Sequence, residues 1–183
     1  TTSTMMFGHI EKTSHVAHHL FELLNLQKKT NGITEFVPLP FVADEAPIFR
    51  RGQARPGPTF KETILVHSVA RILFQGQINN IQGSWVKMGL SGLKFLLSSG
   101  INDIGGVLMN ESITRAAGAS FGQELRLKEV EGIVNELGLN LQQRNTLYDS
   151  LNNNLHDLIT LQSIPLIPIS NDYHKPKKLI NIT

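Results

Sequence analysis

The stretch TTSTMMFGHIEKTSHVAHHLFELLNLQKKTNG, residues 1–32, decides the fold class. Its first seven residues are β-branched and apolar. Alternation places Thr2, Thr4 and Met6 on one face of a strand and Ser3, Met5 and Phe7 on the other. From Thr13 to Thr30 the period changes. Val16, Leu20, Leu23 and Leu24 form the apolar stripe of a helix, with Thr13 or Ser14 as its N-cap and Gly32 as its stop. A strand followed directly by a helix is the repeating unit of a parallel α/β sheet.

Three more units follow in the same order. ITEFVPLPF (33–41) reads as a second strand, with regular pairing expected to end near Val37 because Pro38 and Pro40 cannot donate to a ladder. The sequence EAPIFRRGQARPGPTF (45–60) is a basic, proline-rich loop. Thr59 and Glu62 then form a T-x-x-E capping box that opens a helix to about Phe74, with Ile64, Leu65, Val69 and Ile72 expected inward. NIQGSWVK (80–87) reads as the third strand, followed by a short helix capped by Ser91. INDIGGVLM (101–109) reads as the fourth strand, and the segment after it carries one short and one longer helix. Residues 1–150 thus form the α/β unit. Residues 151–183 shift to Asn, Ile, Pro and Lys and read as a variable, partly disordered tail.

Composition narrows the function. The 183 residues carry a net charge of only +2 and no dense Lys/Arg stripe, which speaks against nucleic acid. There is no cysteine, hence no disulfide, thiolate metal site or cysteine nucleophile. No apolar run reaches transmembrane length and no signal peptide opens the chain, so a cytoplasmic or organelle-stroma location is expected. The abrupt start in strand sequence, without an initiator Met, reads as a chain cut from something larger. His15 and His19 have metal-competent spacing but lack an H-E-x-x-H context, so a solvated helix face is the better reading.

Candidate polar groups gather at the strand ends, where parallel α/β folds place their sites. Gly8, His9 and Glu11 close the first strand, either as a ligand-facing rim or as a plain turn with Glu11 near a helix N-terminus. Glu35 lies within a strand, so it either faces a wet cavity or pairs with a cation, since an unpaired buried carboxylate costs several kcal/mol. Gln82 and Ser84 are expected on one face of the third strand and Trp85 and Lys87 on the other, with Trp85 as outer packing or as a wall for a flat ring. Asn110, Glu111, Ser112 and Arg115 open a helix and serve either as caps or as a polar ligand site. Walker, G-x-G-x-x-G and G-x-S-x-G patterns are missing.

Taken in order, TTSTMMFGHIE, TEFVPLPF, EAPIFRRGQARPGPTF, NIQGSWVKMG, INDIGGVLMNESITRAAGA and QRNTLY resemble the C-terminal half of the tyrosine-dependent subunit family of FO synthase. These are radical S-adenosylmethionine enzymes. The likeness covers about Thr1 to Tyr148, and its most discriminating piece is the loop 45–60.

The resemblance implies strands five to eight of a (β/α)8-type barrel. It implies a transferase that joins the 4-hydroxybenzyl group of L-tyrosine to 5-amino-6-(D-ribitylamino)uracil in deazaflavin biosynthesis, using S-adenosyl-L-methionine and a [4Fe–4S] cluster. The cluster's cysteine loop has no counterpart here, so an N-terminal barrel half is required, and the other FO synthase subunit is an expected partner. By the same resemblance, Gly8, His9, Glu11, Val37, Pro38 and Leu39 face the adenosyl group. Glu35, Gln82, Ser84, Trp85, Asn110, Glu111 and Arg115 line the substrate cavity. Arg50, Arg51 and Arg55 sit on a lid and hold the tyrosine carboxylate. A non-catalytic or decayed fragment that keeps the pocket is the alternative. An ordinary barrel enzyme binding phosphate is a weaker one.

Overall fold

The computed structural model describes residues 1–106, 112–121 and 124–149. The fourth strand's end, Asn110 with Glu111, and the tail from 150 lie outside them.

Strand β1 (Thr2–Phe7) leads into helix α1 (Thr13–Thr30), and β2 (Glu35–Pro40) into the loop that carries the one-turn α2 (Pro47–Arg50). Helix α3 (Phe60–Leu73), the two-residue β3 (Asn80–Ile81), α4 (Trp85–Ser98), α5 (Ile113–Ala116) and α6 (Leu127–Glu136) complete the order. The three strands form one parallel sheet in the order β1-β2-β3. At the fourth position the described residues give a single parallel bridge, Gln82 to Asp103, and Gly83 donates to the Asp103 carbonyl at 2.9 Å.

The alternation in β1 is as expected: Met5 and Phe7 are buried while Thr2, Thr4 and Met6 are exposed. The buried face meets Leu20 and Leu24 of α1, in one core with Phe36, Phe74, Ile81, Leu93 and Leu96. Each such large side chain contributes about 1.5–3 kcal/mol on burial. Helix α1 spans the expected residues, but Lys12 is the N-cap and Asn31, at φ 48°, makes the left-handed C-cap ahead of Gly32.

Four expectations need correction. Pairing of β2 with β1 runs through Pro40 rather than ending at Val37. Odd-numbered residues of β2 bond toward β1, as Phe41 N–H does to the Phe7 carbonyl at 2.8 Å. Even-numbered residues face β3, as the Phe36 carbonyl does in accepting from Gln82. The N–H groups missing at Pro38 and Pro40 therefore fall on the side where β3 has already ended.

In α3 the inward stripe is Thr63, His67 and Ala70, continued by Phe74. Leu65, Val69 and Ile72 are exposed, and only Ile64 of the expected set is partly buried. The helix is turned about one residue from the pattern of its largest apolar side chains. His67 tolerates this position because its Nδ1 lies 2.7 Å from the Thr63 carbonyl and its ring stays neutral. The Thr59/Glu62 box does form: Glu62 N–H donates to Thr59 Oγ1 at 3.2 Å and Thr59 N–H to Glu62 Oε2 at 2.6 Å, a cap of about 1 kcal/mol.

The third strand is shorter than its pattern. Ser84 is already the N-cap of α4, so Trp85 and Lys87 are helical. A break at Gly89, φ 65° and ψ 179°, separates the first turn from the rest and replaces the expected start at Ser91. Phe121 packs 3.0 Å from where a Gly89 Cβ would stand, so only glycine serves there.

Candidate functional site

The turn after β1 and the loop after β2 are bound into one unit. Gly8 and His9 donate their N–H groups to the Glu11 carboxylate at 2.6 and 2.9 Å. Burial pushes the Glu11 carboxyl up, but these amide donors, with Glu11's own N–H and the nearby His9, outweigh it and bring it below the ordinary carboxylate range. The Arg55 guanidinium stands 3.5 Å from Glu11 and 2.8 Å from Glu62, and the Arg55 N–H donates to the His9 carbonyl at 2.9 Å. His9 also packs edge-on against Phe41, at 5.5 Å between centroids.

Gly8 adopts φ +96°, and Pro58 Cδ lies 2.2 Å from where a Cβ would stand. The space that glycine leaves open here is filled by the loop. Glycine is required for that close approach whatever else the turn does.

The loop's arginines are placed differently from one another. Arg50 pairs with Glu45 and reaches the Asp44 carbonyl at 3.4 Å. Arg51 is exposed. Arg55 is neutralised by Glu11 and Glu62. The loop's other side meets α5: Glu45 N–H donates to the Ala117 carbonyl at 3.1 Å, and Asp44 packs against Gly118. On α5, Arg115 carries a guanidinium nitrogen, Nη1, that is buried with no hydrogen-bond partner.

Val37 and Leu39 share a sheet face with Thr4 and Met6, their register partners, but Val37 is buried and only Leu39 is partly exposed. Pro38 points to the opposite, helix-covered face. Gln82 follows β3 and lies against Gly105, and Ser84 is buried at the α4 N-terminus. Trp85 is 4% exposed within the core, its Nε1 donating to the Gly106 carbonyl at 3.2 Å. It is core packing and lines no open surface.

A second cluster sits at the opposite, strand-start end of the sheet. Glu35 accepts from Thr2 Oγ1 at 2.6 Å, and the Tyr148 hydroxyl lies 2.6 Å from Glu35 and 2.5 Å from Asp103. Arg144 holds Asp103 through Nε at 2.6 Å and Nη2 at 2.5 Å, reaches Glu35 at 3.5 Å, and stacks 4.0 Å over the Tyr148 ring. Burial, then hydrogen bonds to Asp103 and Glu35, hold the phenol protonated far above its ordinary range. Of the two expectations for Glu35, the structure shows pairing with a cation. Asp103, Arg144 and Tyr148 were not singled out from sequence. The one available signal was that a strand carboxylate demands a partner, and nothing nearby in sequence names it.

Among the described residues no group of three or more His, Asp or Glu is placed to hold a metal. With no cysteine anywhere in the chain, its residues do not fit an iron–sulfur cluster. No described helix is long and apolar enough to cross a membrane.

A model of the family described as CofH/MqnC C-terminal region matches residues 30–156. The 5-amino-6-(D-ribitylamino)uracil–L-tyrosine 4-hydroxyphenyl transferase of Methanocaldococcus jannaschii is 46% identical over 151 residues, covering 82% of this chain and 42% of the relative. That of Methanopyrus kandleri is 48% identical over 149 residues, 81% of this chain and 40% of the relative. The FO synthase of Nocardia farcinica is 45% identical over 148 residues, 81% of this chain but only 17% of the relative. The chain thus spans about two-fifths of the transferases it matches and under one-fifth of the FO synthase.

Proposed function

The chain belongs to the CofH/MqnC C-terminal region family, and on that premise we propose that it is the substrate-binding half of a radical S-adenosylmethionine transferase. The reaction joins the 4-hydroxybenzyl group of L-tyrosine to 5-amino-6-(D-ribitylamino)uracil in FO biosynthesis. The observation that carries this reading is identity of 43–48% over 148–151 residues with both transferases and FO synthases.

In this reading the sheet is strands five to eight of a (β/α)8-type barrel, and the face bearing Thr4 and Met6 is the cavity wall. The [4Fe–4S] cluster belongs to another polypeptide segment. That face fits an adenosyl group in part. Leu39 supplies partly exposed apolar surface for adenine, Val37 beside it being buried, while the amide donors of the Gly8–Glu11 turn are already used by Glu11. When bound, S-adenosylmethionine supplies the radical that begins the reaction. Gln82 and Ser84, with Asn110 and Glu111 beyond the described residues, supply polar groups for the uracil.

The loop 45–60 acts as a lid whose prolines limit the entropy lost on ordering. Arg55 pins it to Glu11 and Glu62, so that water is kept from the strand ends. Pinning by two carboxylates makes Arg55 a poor holder of substrate. The cation with capacity left is on α5.

The test is complementation. The chain is produced with a cysteine-bearing N-terminal half, reconstituted with iron, sulfide, reductant and S-adenosylmethionine, and supplied with tyrosine and the ribitylaminouracil. Mass spectrometry is expected to show the coupled product only when both halves are present. A folded, cluster-loaded complex that binds both substrates and yields none would favour the non-catalytic reading, which the absence of cysteine also suits.

A further inference from the structure

Seven arginines lie in the described residues, and six are solvated or satisfied. Arg50 is paired with Glu45, Arg55 with Glu11 and Glu62, Arg126 with Glu124, and Arg144 with Asp103 and Glu35. Arg71 donates to the carbonyls of Gly100 and Asn79 and to Asn102, and Arg51 is exposed. Arg115 alone among them has a guanidinium nitrogen that is buried and bonded to nothing. Arg115 is half-buried, and a guanidinium N–H held out of water without an acceptor is costly, a cost that a bound anion accepting from it removes. A guanidinium fork suits a carboxylate.

A complementary charge is close in the fold. Asp44 packs its Cβ 2.6 Å from the position a Gly118 Cβ would take, and the Gly118 N–H donates to the Arg115 carbonyl at 2.9 Å. Asp44 is exposed, and no ion pair joins it to Arg115. The Asp44 carboxylate lies beside Gly118, three residues past Arg115, and among the described residues neither has a charged partner; such a cation and carboxylate match the two ends of an α-amino acid. A phosphate dianion would meet the unpaired Asp44 carboxylate there and be repelled.

We propose that Arg115 and Asp44 form a zwitterion site that takes the carboxylate and ammonium of an α-amino acid. This rests on the functional reading above, where two ligands carry that group: tyrosine and the methionyl end of S-adenosylmethionine. The site moves substrate anchoring from the lid to α5.

The experiment is calorimetry on the complemented enzyme with L-tyrosine, tyramine, 3-(4-hydroxyphenyl)propionate, S-adenosylmethionine and methylthioadenosine. Arg115→Met is expected to weaken tyrosine about 10- to 100-fold and leave tyramine unchanged, in line with the loss of a charged hydrogen bond. Asp44→Asn is expected to weaken tyrosine and tyramine about 10-fold and leave the propionate unchanged. The same pattern on S-adenosylmethionine against methylthioadenosine, with tyrosine unaffected, supports the site with the methionyl group as its occupant.

The ligand-free Arg115→Met protein is expected to melt no lower than the parent, because an uncompensated charge has been removed. A purely structural arginine would lower it. If the preferences for tyrosine over tyramine and for S-adenosylmethionine over methylthioadenosine both survive Arg115→Met, the site is overturned. Should the parent complex bind none of the five, the functional reading falls and the site with it.

Discussion

Arg144 and Tyr148 fasten the chain that follows α6 to two carboxylates that arrive from β2 and from the fourth-strand position. The Asp103 side chain is 5% exposed and Glu35's is 13% exposed, so neither charge is left to water. Tyr148 reaches its place with φ 68°, a left-handed conformation that a tyrosine adopts only when its contacts outweigh the strain. Arg144→Met would leave two buried carboxylates facing each other, an expected loss of about 3–5 kcal/mol. Tyr148→Phe removes one hydroxyl, an expected loss of about 1–3 kcal/mol. Urea unfolding of both variants in the complemented protein checks the order. A loss below about 1 kcal/mol for Arg144→Met would show that the cluster is ornamental. From sequence, Glu35 was legible as a carboxylate that needs a cation. Its tyrosine partner lies 113 residues away, and no local pattern encodes a pairing over that distance.

The elements divide by whether local rules compete with packing. The span of helix α1 was legible because its apolar stripe and the stop at Gly32 agree, although its caps are Lys12 and Asn31. The box at Thr59 was legible because it needs only residues three apart. The face of α3 was not, because periodicity weighs side-chain size and the sheet selected Thr63, His67 and Ala70 instead. Trp85 was misplaced for a similar reason: two paired residues suffice for β3, and Ser84 then starts a helix inside a strand-like run.

The buried His67 yields a prediction. Burial lowers its folded-state proton affinity below the ordinary 6.5, and the hydrogen bond to Thr63 reverses only part of this. Below that pH the unfolded chain binds a proton that the folded chain refuses. Stability is therefore fully present above about pH 6.5 and declines as pH falls from there toward the lowered value, by at most about 1.4 kcal/mol per unit. His67→Leu removes the titration and the unpartnered Nε2. Its stability is expected to match the parent near pH 8 and to exceed it near pH 5, measured by urea midpoints. A variant whose decline between those values parallels the parent's would assign the effect to other groups.

Across the whole molecule, the arrangement leaves the β1 part of one sheet face exposed among the described residues, while Glu35 and Val37 of β2 on that face are covered. Thr2, Thr4 and Met6 look outward from β1, with Met6 52% exposed, and β1 pairs on one edge only, with β2. An unpaired parallel edge beside apolar surface is a template for another chain. The helical side adds an open apolar groove between α1 and α3, lined by Phe21, Val69 and Ile72 among others. A protein of this size gains only about 5–15 kcal/mol net from folding, so uncovered surface of this kind decides its solution behaviour. These 183 residues alone are expected to self-associate or melt over a broad range. With the cysteine-bearing half they are expected to run as a single species and unfold cooperatively. Light scattering and thermal melts on both samples make the comparison. A monodisperse monomer of these residues alone, melting in one sharp transition, would mean that the exposed face needs no partner, and the half-barrel reading would have to be given up.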